Sequence, residues 1–167
     1  NNSIIIGASQ VIRTVIVQDV TPPILTLLGA ANVTHEAASP YLDPGASAVD
    51  TADGNLTHAI LVSGNVNVQT LGIQTLTYSV SDQAGNAATP ISRSITVRDS
   101  SAPIITLQGD ANGTLEATVP FVDPGATAFD AFDGNLTASI VKSGDEVNSS
   151  SPGIYQVVYE VIDNEGN

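Results

Sequence analysis

With 167 residues the chain has room for one or two small domains, and 42% hydrophobic content with only 4% aromatic implies a core of Val, Ile, Leu and Ala. A formal net charge of −13, with Arg13, Arg93, Arg98 and Lys142 as the basic residues, argues against nucleic acid and anionic lipid as partners and favours cations. No run approaches the length of a transmembrane helix, which argues against direct membrane insertion, and the absence of cysteine leaves the redox compartment unread.

The first residue is Asn1, which suits a cleaved secretion signal or a trimmed piece of a longer chain equally well. Residues 1–18 form an extension whose predicted strand is "VIRTVIVQD", Val11 to Asp19. Val11, Arg13, Val15 and Val17 share one face, and Ile12, Thr14 and Ile16 the other. With Ile4, Ile5 and Ile6 upstream, the segment is apolar on both faces. Free in water, such a strand is an aggregation hazard; in a neighbour's groove it is stable.

Residues 19–99 read as about seven short strands separated by turns at Asp43-Pro44-Gly45, Asp53-Gly54-Asn55 and Ala84-Gly85-Asn86. In "TLTYSV" the apolar Leu76, Tyr78 and Val80 alternate with Thr75, Thr77 and Ser79, the period of a half-buried strand. Residues 100–167 repeat the unit. "PPILTLLG" (Pro22–Gly29) returns as "APIITLQG" (Ala102–Gly109), and "YLDPGASAVDTADGNLT" (Tyr41–Thr57) as "FVDPGATAFDAFDGNLT" (Phe121–Thr137). "GIQTLTYSVSDQAGN" (Gly72–Asn86) returns as "GIYQVVYEVIDNEGN" (Gly153–Asn167) after a one-residue insertion. The predicted fold class is all-β: two tandem immunoglobulin-like sandwiches.

The strand closing the first unit, "ISRSITVRD" (Ile91–Asp99), aligns with Val11–Asp19, Arg13 matching Arg93. The second unit has no such strand after Asn167. Two expectations compete. In one, identical subunits join head to tail, Val11, Arg13, Val15 and Val17 of each supplying the strand that the next one's second domain lacks. In the other, the sequence is an excerpt of a long tandem array. The longer spacing before Val11 favours the first: Ala87 to Pro90 span four residues, against ten before Val11.

The recurring "APxITLxG", "DPGAxAxDxxDGNLT" and "YxVxDxxGN" patterns resemble the bacterial surface Ig-like repeat, a relative of the hyalin repeat, over essentially all of residues 19–167. The resemblance implies a spacer, stalk or binding unit. Related repeats recur in tandem in secreted adhesins, cell-wall proteins and large extracellular enzymes, and some stand beside pesticidal toxin modules. An extracellular or cell-surface location follows from the same resemblance.

Catalysis is not expected. His35 and His58 are the only histidines, the repeat replaces them with Leu115 and Ala138, and no nucleophile elbow or phosphate loop is present. No cofactor is required. Calcium is the candidate ion, because Asp50, Asp53 and Asn55, and again Asp130, Asp133 and Asn135, concentrate oxygen donors on turns. Asp19 and Asp99 sit at the joints, near Asp82 and Asp163, and of these four Asp82 and Asp99 join the candidate ligands. Turn chemistry alone also explains that pattern. Asn-x-Ser/Thr sequons begin at Asn1, Asn32, Asn55, Asn112, Asn135 and Asn148, and in a cell equipped to add them the candidate sites for surface glycans are Asn32, Asn55, Asn112, Asn135 and Asn148. The few aromatics available for a sugar platform are Tyr41, Tyr155, Phe121, Phe129 and Phe132.

Overall fold

A computed structural model describes residues 11–167, so the sequon at Asn1 and the Ile4–Ile6 run lie outside the described residues. In the first domain, strands form where β-branched residues alternate with polar ones between glycine and proline turns. They are β1 (Ile24–Leu27), β2 (Asn32–Glu36), β3 (Ala46–Asp50), β4 (Gly54–Asn55), β5 (Leu61–Ser63), β6 (Gly72–Ser79) and β7 (Ile91–Arg98). One sheet has the order β1-β3-β4 and the other β2-β7-β6-β5. A single 3-10 turn at Thr57–Ala59 is the helical element of this domain. An all-β sandwich is thus what the chain builds.

β7 is the keystone of the larger sheet. It pairs antiparallel with β6 from Gly72↔Val97 to Tyr78↔Ile91, and parallel with β2 from Asn32↔Ser94 to Glu36↔Arg98. Its alternation puts Arg93, Ile95 and Val97 inside and leaves Ser92 and Arg98 exposed. Ile95 and Val97 join Ala37, Ala46, Leu76 and Tyr78 as the core, with Leu27, Tyr41, Ile60, Val66 and Ile91 packed around it. A second cluster of Ala48, Leu56, Val80 and Ala88 fills the other end.

The second domain repeats this plan with five strands, one fewer than the sequence repeat without its closing strand predicts. They are β8 (Ile104–Leu107), β9 (Ala126–Asp130), β10 (Gly134–Asn135), β11 (Val141–Gly144) and β12 (Val157–Glu160). β8-β9-β10 form one sheet and β11-β12 the other. Residues 112–116, matching β2, are exposed and form no strand; residues 153–156, matching the first half of β6, form none either. The physical reason is shared. Both segments would hydrogen-bond to a β7 equivalent, and without that partner their amides and carbonyls gain nothing from extending side by side. The core thins accordingly: Tyr78 is fully buried, whereas its counterpart Tyr159 is only half-buried.

The joint is stapled by Glu36 at the end of β2. Its carboxylate accepts bonds from the Ser100 amide at 2.9 Å, the Ser100 hydroxyl at 2.6 Å and the Ser101 hydroxyl at 2.8 Å. These donors, the Ser100 hydroxyl foremost, lower the Glu36 pKa from 4.5 to about 2. A depressed carboxyl stabilises the fold above its unfolded pKa and loses that contribution as pH falls through the folded value. The staple should therefore open as pH falls from 4.5 to about 2. The Ser100 amide resonance should report this by NMR, and Glu36→Gln should flatten its pH dependence; an unchanged profile in the variant would exclude the staple. From the other side Phe132 packs against the core cluster of the first domain. That contact places Phe132 at the joint, away from any exposed sugar platform.

Candidate functional site

Two features recur at equivalent positions of both domains: an acidic cluster at the domain end, and the groups that surround Arg93 in the first domain.

Each acidic cluster grows from the Asp-x-x-Asp-Gly-Asn turn. Asp50 Oδ1 accepts the amides of Ala52 (2.7 Å) and Asp53 (3.0 Å), and Asp130 Oδ1 those of Phe132 (2.7 Å) and Asp133 (3.0 Å). Asp53 Oδ2 then reaches across to the Gln83 amide at 2.7 Å, as Asp133 Oδ2 does to Asn164 at 2.8 Å. The loop after the long hairpin is closed by Asp82 with Asn86, and by Asp163 with Asn167. Asn86 and Asn167 also donate to the carbonyls of Asp19 (3.3 Å) and Asp99 (3.4 Å), drawing the preceding linker into each cluster.

The outcome is a convergence of carboxylates. One oxygen each of Asp19, Asp53 and Asp82 lies within 4.8 Å of the others, and the same holds for Asp99, Asp130 and Asp163 and for Asp99, Asp133 and Glu165. Asp99, Asp130 and Asp163 are all buried, at 8%, 2% and 6% exposure. Turn chemistry accounts for one oxygen of Asp50 and of Asp130 but leaves the other without a partner. Oδ2 of Asp19, Asp50, Asp99 and Asp130 is buried and unbonded. Burial, and then the charges of Asp130, Asp163 and Glu36, push the Asp99 carboxyl above its ordinary value. Burial, with Asp133, Asp99 and Asp163, does the same to Glu165. Asp163 is lowered: burial opposes its charge, but the backbone and side-chain donors of Asn167 outweigh it.

Among the described residues the ion pairs are Arg93–Asp43 and Lys142–Asp123, so neither cluster has a protein cation against it. Hard oxygen donors with unbonded buried lone pairs are the ligand type that calcium takes. Asp53, Asp82, Asp99, Asp130 and Asp133 belong to the converging groups, and Asp50 holds the turn that carries Asp53. The side-chain oxygens of Asn55 and Asn135 accept the Thr57 and Thr137 amides at 2.9 and 3.0 Å. The sequence reading noted Asp19 and Asp163 near the joints without counting them among the ligands; the linker bonds from Asn86 and Asn167 bring them in.

The candidate donor-strand residues belong to neither cluster. Val11, Val15 and Val17 are 91%, 72% and 92% exposed, and residues 11–20 form no strand within their own chain. The sequon residues Asn32, Asn55, Asn112, Asn135 and Asn148 are all exposed. His35 has a structural role: its Nε2 contacts the Ser39 carbonyl at 3.0 Å and its ring packs edge-on to Tyr41 at 5.0 Å.

Known proteins share the pattern. Cry22Aa, a pesticidal crystal protein of Bacillus thuringiensis, is 32% identical over 133 residues, covering 77% of this chain and 18% of its own length. An uncharacterized 81.3 kDa protein of Acholeplasma phage L2 is 34% identical over 108 residues, covering 61% of this chain and 14% of its own. The chain thus spans less than a fifth of either relative. The lipoprotein BT2262 from Bacteroides thetaiotaomicron is similar at 25% identity and a TM-score of 0.43, over 52% of this chain and 45% of that one. The family described as "Bacterial surface protein, Ig-like domain" matches residues 25–97 and again 105–167. Two matches to one family, falling on the two repeats seen in the structure, make the chain a member of the bacterial surface Ig-like family.

Proposed function

We propose that this chain is a non-catalytic structural unit of a surface or secreted fibre or stalk, its second domain completed by a strand of β7 type. In this reading the strand is Val11–Val17 of a neighbouring copy, so identical subunits link head to tail. The observation that carries it is the paired defect: a β7-like segment exposed in its own chain, and a domain whose two β7-facing segments have no ladder. Burying Val11, Val15 and Val17 where Ile91, Ile95 and Val97 sit in the first domain contributes on the order of 5–8 kcal/mol before entropy. A head-to-tail contact of this kind need not close and extends into filaments. Calcium at the acidic clusters would hold successive domains in line, since Asp99 belongs to the linker and Asp130 and Asp163 to the domain beyond it.

A second reading makes the chain two spacer or ligand-binding modules of a longer secreted adhesin or enzyme. The observation favouring it is that the relatives are several times longer than the matched region. In that case the completing strand follows in the same polypeptide.

One pair of proteins separates the readings. The full chain should form filaments in electron micrographs, and removing residues 1–18 should abolish them while leaving the first domain folded. Appending a copy of residues 87–99 after Asn167 should complete the second domain within the chain and block polymerisation. A full chain that stays monomeric but is stabilised by the appended strand would overturn strand exchange and leave the tandem module.

A further inference from the structure

The slot that β7 fills in the first domain is occupied by an arginine. Arg93 is fully buried, with Nε 3.2 Å from Asp43 Oδ1. One terminal nitrogen donates to the carbonyls of Leu28 (2.6 Å) and Gly45 (3.0 Å), and the Tyr78 hydroxyl donates to Asp43 Oδ2 at 2.7 Å. A single side chain of β7 thereby ties the larger sheet to the loops flanking β1 and β3. Only a planar guanidinium offers donors in this arrangement.

The second domain retains the receiving groups. Gly125 and Tyr159 stand at the positions of Gly45 and Tyr78, Asp123 at that of Asp43, and the Gln108 carbonyl at that of Leu28. The loop that presents the two carbonyls is closed by the same bond, Gln108 amide to Gly125 carbonyl at 2.8 Å, as Leu28 to Gly45 at 3.0 Å. The Tyr159 hydroxyl donates to Asp123 Oδ1 as Tyr78 does to Asp43. Beside these groups is a cavity of about 420 Å³ lined by Phe121, Asp123, Lys142, Val147 and Val157. Phe121, Val147 and Val157 match Tyr41, Val66 and Leu76, which in the first domain pack around Ile95 and Val97. The second domain thus keeps, around an open cavity, the counterparts of residues that surround β7 side chains in the first.

One group differs. Where the first domain has Val62, the second has Lys142, whose Nζ lies 2.7 Å from Asp123 Oδ2. Lys142 is half-exposed, on a flexible stem, and its charge lies where a guanidinium would approach.

We propose that the second domain carries a preformed arginine receptor that selects and registers the completing strand, with Lys142 as a placeholder cation on Asp123 until that arginine arrives. The occupant is Arg13 of a second copy, the position that aligns with Arg93, flanked by Val11, Val15 and Val17 as Arg93 is by Ile91, Ile95 and Val97. This rests on the strand-completion reading and adds its specificity. A slip of one residue would turn every side chain to the wrong face, and a slip of two would keep the apolar face inward but move the arginine off Asp123. Apolar alternation alone cannot exclude the second error; the arginine can.

The test measures binding of labelled Val11–Asp19 peptides to the full chain at concentrations too low for self-assembly. Arg13→Met and Arg13→Lys peptides are compared with the parent against wild-type, Asp123→Asn and Lys142→Met chains. Arg13→Met should weaken binding about thirty-fold or more, as expected for removing a charged donor from two backbone carbonyls and a neighbouring carboxylate. Arg13→Lys should recover only part of the loss, and Asp123→Asn should erase most of the difference between the peptides. Lys142→Met should speed association, because no cation needs displacing. If parent and Arg13→Met peptides bind equally, the arginine receptor is wrong while strand completion stands. If neither binds, strand completion fails and the receptor with it.

Discussion

Arg93→Met should unfold the first domain at a temperature on the order of 15–30 °C below the parent, the largest effect expected of any single substitution here. The size follows from what is left behind. Asp43 loses its cation, and the carbonyls of Leu28 and Gly45 lose the donor that reaches them from the core. Breaking a buried pair from one side costs about 3–5 kcal/mol, a large share of the 5–15 kcal/mol that holds a typical domain together. Arg93→Lys should recover little, since an ammonium cannot serve Asp43 and two carbonyls in one plane. Calorimetry should show one transition moved and the other in place. A shift of only a few degrees would mean that Arg93 is not the tie between the sheets.

Millimolar calcium should raise the melting temperature and chelation should reverse the gain. A site that binds only the folded state adds about 2.7 kcal/mol at a hundredfold excess over its Kd, and the two clusters would contribute separately. Asp130→Asn should remove the response of the second cluster and Asp53→Asn that of the first. The pH dependence carries a sign that distinguishes an ion from turn chemistry. Asp99 and Glu165 are raised above their ordinary values, first by burial and then by neighbouring carboxylates. In chelator their protonation favours the folded state, so their contribution to stability grows as pH falls through the raised values. With calcium bound the same protons compete with the ion, and acid weakens the gain. Identical melting curves in calcium and in chelator would exclude the site.

The sandwich was legible because its signal is local and doubled. Alternation in "TLTYSV" gives the buried face of β6, and the repeat carries the same reading to Val157, Tyr159 and Val161. The aspartate turns were legible for the same reason. Long-range matters were not. Nothing in "NVTHE" announces that β2 runs parallel to β7, because the pairing depends on a strand some sixty residues later. Glu36 reads as an ordinary surface acid until the linker serines fold over it. Lys142 reads as a surface lysine, and only the emptied core beside Asp123 gives it a role. The bonds that Asn55 and Asn135 accept from the Thr57 and Thr137 amides are local and follow from the turn sequence.

The parallel run of β2 beside β7 also decides how the first domain answers a pull. Tension drawn between a point ahead of β2 and a point beyond β7 slides these two strands past each other along their own length. The ladder from Asn32↔Ser94 to Glu36↔Arg98 is then loaded in shear, and its bonds share the force at once. Antiparallel neighbours pulled from the same end would part like a zipper, one bond at a time. A tether made of such units resists by its hydrogen-bond direction, before the strength of any single bond matters.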